Sequence, residues 1–128
     1  MTTQEMHDGI VAWFTRPDAV LGRQDSGFAC VYRGDSNPES NIRCGIGCMI
    51  PNKLYDPDME NTSIIPLLED RDFDFPGLVE HFGSVNRSYM MEVQHAHDNL
   101  QFVEGVAEFL DKLKYIAEDF GLTHKVEA

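Results

Sequence analysis

The chain has 128 residues, 42% of them hydrophobic, and sets 22 acidic side chains against 10 basic ones for a formal net charge of −12. Length and composition suit a single globular domain with a modest core rather than a disordered or repeat protein. The charge argues against a direct DNA or RNA reader, which needs Lys and Arg to displace counterions, and no apolar run is long enough for a transmembrane helix.

Thr2 and Glu5 have capping-box spacing. Met6, Ile10 and Phe14, with Val11 beside them, then give a helical stripe that Pro17 closes. Gly22 and the polar residues after it read as a loop. "FACVYR" (28–33) and "NIRCGIG" (41–47) are β-prone, and the "GDSNPES" between them is loop chemistry. Two antiparallel strands with a long connection are therefore expected. Gly45 and Gly47 leave one side of the second strand bare, which admits another backbone, a ligand or a closely packed helix.

From 51 to 76 the chain is turn-rich. Pro51 and Pro57 each suit the first position of a short helix, with Asp56 placed to cap the second. "FPGLVEHFG" reads as a short helix ended by Gly83. Ser84 is the expected cap of a helix whose stripe is Val85, Tyr89, Val93, Ala96 and Leu100. After a break near Asp98 and Asn99, a second helix carries Phe102, Val106, Phe109, Leu110, Leu113, Ile116, Ala117 and Phe120, and Gly121 with Leu122 forms its C-cap. The expected architecture is α+β, a mostly helical single domain over residues 1–128 with a small two-stranded antiparallel sheet.

Several chemistries can be tested against these elements. A cysteine nucleophile needs a base and a group to orient it, and Cys44 with His95 and Asp98 supplies the types, the latter two lying one helical turn apart. A zinc set would join Cys30, Cys44 and Cys48 to His95 or His97, but there is no CxxC knuckle. "DPDMEN" fails the EF-hand pattern, which wants glycine at Asn61 and glutamate at Leu67. No metal and no cofactor is expected. An odd cysteine count without an apolar leader argues against a disulfide framework and for the cytoplasm.

An anion-binding set is also available in Tyr32, Arg33, Arg43, Cys44, Gly45, Gly47, Tyr55, Arg87 and His95, where arginines beside aromatics and bare glycines could grip a flat anionic ligand. The acids cluster between 56 and 74, giving a local negative field suited to a basic partner or to mimicry of a nucleic acid.

"CVYR", "RCGIGCMIP", "LYDPDME" and "QHAHDN", spread over residues 30–122, resemble a group of small, mostly uncharacterised proteins encoded by bacteriophages and prophages. Asn52 and Asn61 stand where aspartate and glycine are expected, and the loop over 34–41 is long. The resemblance implies an accessory protein in the cytoplasm of an infected bacterium, acting in counter-defence by binding a host protein or a nucleotide-like immune signal. Non-enzymatic binding is the favoured reading. The alternatives are a cysteine-dependent hydrolase or transferase using Cys44, His95 and Asp98, and an acidic mimic or purely structural protein. Homo-oligomerisation stays open.

Overall fold

The structure, a computed structural model, describes residues 1–21, 31–60, 62–70, 72–98 and 105–125. It is mostly helical. The α-helices are α1 (Thr3–Phe14), α2 (Ile64–Glu69), α3 (Pro76–Phe82), α4 (Arg87–Asp98) and α5 (Val106–Asp119), joined by short 3₁₀ turns at Gly34–Ser36, Gly47–Met49 and Pro57–Met59.

Local signals explain most of the helix ends. Thr2 accepts from the Glu5 backbone N–H and Glu5 returns a bond to the Thr2 N–H, so the capping box closes. Asp56 accepts from the Asp58 N–H while Pro57 opens the turn behind it. Gly83 and Gly121 end α3 and α5 with φ of 48° and 65°, a region that favours glycine. At Gly121 the Leu122 N–H reaches back to the Ala117 carbonyl at 2.8 Å, and Leu122 packs against the core. One cap differs from expectation. Asn86, not Ser84, receives the Tyr89 N–H at 3.1 Å and opens α4. Leu100 and Phe102 lie outside the described residues.

The helices pack α4 on α5, α2 on α4, and α1 on both α5 and the Gly47–Met49 turn. Met6, Ile10, Phe14, Tyr89, Val93, Phe109 and Leu113 meet between them, each 1% exposed or less. Phe14 and Phe109 cross edge to face at 5.2 Å.

The antiparallel sheet is corrected. Residues 28–30 lie outside the described set, and residues 31–33 are not in a strand. Among the described residues the strand pairing is two residues long and parallel, Val20 with Ile42 and Leu21 with Arg43, forming β1 (Val20–Leu21) and β2 (Ile42–Arg43). Tyr32 and Arg33 are buried without a ladder because a side chain takes their N–H groups. The Glu60 carboxylate accepts from both at 3.0 Å. What looked like strand composition reflects burial.

The C-terminal residues clasp α1. The Gln4 amide exchanges two hydrogen bonds with the Thr123 backbone, both 2.9 Å. Fully buried His7 lies between the Tyr89 hydroxyl at 2.8 Å and the His124 ring at 2.9 Å. Burial first, and then His124, bring the His7 pKa down to about 4, against a smaller upward pull from Asp8. A histidine depressed in the fold stabilises it fully above its unfolded value near 6.5, and that stability drains away as pH falls toward 4. The expected loss is on the order of 3 kcal/mol. Urea midpoints of the wild type and His7→Gln at pH 7.5 and pH 4.5 check this, and the variant should show the smaller decline. Equal declines would show that His7 is not the titrating group.

Candidate functional site

Most of the expected anion-binding set does come together, but around itself. Arg33 is fully buried, and all five N–H donors of its guanidinium are taken. Nε donates to the Pro38 carbonyl at 3.1 Å, and Nη1 to the carbonyls of Tyr32 at 3.1 Å and of Gly47. Nη2 donates to the Ile50 carbonyl and to Asn52 Oδ1 at 3.3 Å. The Tyr55 ring lies 5.3 Å from its Cζ. Burial draws the Arg33 pKa down to about 10, so the group stays charged near neutrality with no donor left for a ligand.

Glu60 is the acidic centre of the same network. Besides the two backbone N–H groups it accepts the Tyr55 hydroxyl, whose pKa is raised by burial and by that carboxylate. The Tyr32 hydroxyl donates to the Thr62 carbonyl at 2.6 Å and accepts from the Gln94 amide at 3.0 Å, while Gln94 Oε1 takes the Ile64 N–H at the start of α2. Arg33, Tyr55 and Glu60 therefore bind the segment 47–60 to residues 32–38, and Gln94 ties this unit to α4. The motif residues act as a fold staple.

The remaining candidates are dispersed. Arg43 is 8% exposed, donates to the Ser40 carbonyl and to Asn52 Oδ1, and stacks over Trp13 at 4.3 Å. Arg87 caps the carbonyls of Gly83 and Val85 and faces Glu69 at 3.8 Å, away from the Arg33 network. Gly45 and Gly47 form no open cradle. A Cβ on Gly45 would stand 2.6 Å from Phe109 Cζ, and one on Gly47 would stand 2.4 Å from the Tyr32 carbonyl oxygen. The bare side is filled by a helix at one glycine and by backbone at the other.

The cysteine readings also change. Cys44 is disulfide-bonded and fully buried, so it has no thiol for His95 to activate. The odd count that speaks against a disulfide framework does not reach this bond, since it excludes only the pairing of all three cysteines. Cys48 is a free thiol whose pKa is pushed up to about 12 by burial, opposed by Arg43 and Arg33, and it donates to the Gly45 carbonyl. Cys30 lies outside the described residues. Among those described, no group of three or more His, Cys, Asp or Glu is arranged to hold a metal ion.

His95 belongs to a different place. It is exposed on α4 and lines two adjoining grooves. The larger, of about 500 Å³, runs between the start of α2 and α4, along Ser63, Ile65, Pro66, Met91, Glu92 and Asp98. The smaller, of about 290 Å³, lies between α4 and α5 and reaches Lys112, Tyr115 and Asp119. Met91 and Tyr115 are 57% and 58% exposed, the most of any large hydrophobic side chain among the described residues. Three carboxylates (Glu92, Asp98 and Asp119) rim the grooves against Lys112 alone. Sequence reasoning had His95 and Asp98 but missed Met91 and Tyr115, whose signal was an apolar residue on the polar side of each helical stripe.

No family model, curated protein or solved structure matches the chain. No helix among the described residues is long and apolar enough to cross a membrane.

Proposed function

We propose that this chain is a phage-type accessory protein that acts in the host cytoplasm, without catalysis, by binding a basic host protein. The single observation that carries the reading is the face around His95, where exposed Met91 and Tyr115 stand among Glu92, Asp98 and Asp119. Apolar anchors inside a charged rim are the pattern of a protein interface. The rim and the net charge of −12 both favour a cationic partner.

A nucleotide-like ligand fits this face poorly, because its phosphates would meet carboxylates. The arginines that would have gripped it are occupied, Arg33 completely. A second copy of the chain fits poorly for the same reason, since it would bring two carboxylate rims together.

Photo-crosslinking residues at positions 91 and 115 test the reading, with position 79 as an exposed apolar control on α3. In bacterial lysate, positions 91 and 115 should yield an adduct with the same basic protein, lost at roughly 1 M salt where surface charges are screened. Position 79 should yield none. Recovery of a bound nucleotide from the purified protein, with no adduct at 91 or 115, would overturn the proposal.

A further inference from the structure

We infer that the groove between α2 and α4 is a receptor for one lysine side chain of the partner. This rests on the binding face proposed above and names what its larger groove accepts. Ile65, Pro66 and Met91 offer apolar surface along the groove, while Glu92 and Asp98 place carboxylates on it. A lysine has the matching form, a flexible apolar stem that lies on such surface and an ammonium that stays with acids. Ser63 starts α2 without a side-chain capping bond, which leaves its hydroxyl to meet the same ammonium. Asp98 shares the Met91 and His95 face of α4 and is the anionic partner for that ammonium, while Glu92, six positions before it, adds negative charge along the same groove.

A second observation points to an occupant. Asp98 is one-third exposed, yet its Oδ1 is buried and has no hydrogen-bond partner. Behind it His97, 1% exposed, has both ring nitrogens without a partner, and its Nδ1 stands 3.6 Å from that oxygen. Buried polar atoms are nearly always paired, and leaving them unpaired is costly. A cation on the outer side of Asp98 would fix the carboxylate, let Oδ1 close on His97 Nδ1, and hold the ring as its Nδ1–H tautomer. With its inner oxygen committed to His97, Asp98 offers no parallel pair of oxygens to a guanidinium, which favours lysine over arginine.

Nuclear magnetic resonance titration of the full chain tests this. The probes are Nα-acetyl-lysine methylamide, its neutral norleucine counterpart and the arginine counterpart. The lysine probe should shift the Met91 and Ile65 methyl signals saturably and move the His97 ring nitrogens toward one tautomer. Asp98→Asn, with Glu92→Gln as a second variant, should weaken that response by roughly tenfold, the loss of one charged hydrogen-bond partner. Equal response to norleucine, stronger response to arginine, or unchanged affinity in both variants would overturn the inference. If Asp98→Asn leaves the yield of the position 91 adduct unchanged across partner concentrations, the lysine receptor fails while the binding face stands; if position 91 gives no adduct in the wild type, the face itself fails.

Discussion

Arg33→Ala is expected to unfold the protein under mild denaturant rather than to weaken a ligand. The substitution removes five hydrogen bonds at once and strands the buried carbonyls of Tyr32 and Ile50, while the Gly47 carbonyl keeps only the Ile50 N–H. Each stranded polar group costs about 1–3 kcal/mol, and breaking a buried charged network typically costs about 3–5 kcal/mol. A domain of this size has about 5–15 kcal/mol in total, so the loss consumes a large share of it. Arg33→Lys should recover little, because three donors on one nitrogen cannot reach acceptors set around a planar fork. Urea denaturation of the two variants and the wild type measures this. A folded Arg33→Ala protein with an unchanged midpoint would restore the view of Arg33 as a ligand-binding residue.

That result bears on why the sequence could be read in some places and not in others. α1 and α5 were legible because their information is local, in a capping box, a stripe at helical spacing and a glycine C-cap. The segment around Tyr32 was misread, and the one before Cys44 read as a longer strand than β2, because burial and strand formation use the same residue types. The distinguishing fact is a contact from Glu60 across 27 positions to the Arg33 N–H, and spacing rules do not reach that far. An arginine beside aromatics looks the same in sequence whether its donors face a ligand or its own chain. Asn52 belongs to this hidden part. Its Oδ1 accepts from both Arg33 and Arg43, holding two cations to one loop. The binding face was half legible: His95 and Asp98 drew attention as candidate catalysts, yet the apolar Met91 and Tyr115 between the acids better describe what surrounds them.

The bare glycine side of residues 44–47 provides the second large expected effect, a coupled one. Phe109 is fully buried, crosses Phe14 and His97 edge to face, and presses its ring tip on Gly45 where a Cβ would stand 2.6 Å away. Phe109→Ala should cost about 3–5 kcal/mol by opening a cavity at the junction of α1, α4 and α5. Gly45→Ala alone should also destabilise, by about 1–3 kcal/mol, since its methyl overpacks against that ring and against Val93. In the double variant the new methyl enters space the ring has left, so the two losses should not add. The double variant should be more stable than the sum of the singles by roughly 1 kcal/mol or more, the coupling expected of residues in direct contact. Urea midpoints of the four proteins close the cycle. Strict additivity would mean that Phe109 does not press on Gly45, and that the glycine is kept for a different neighbour.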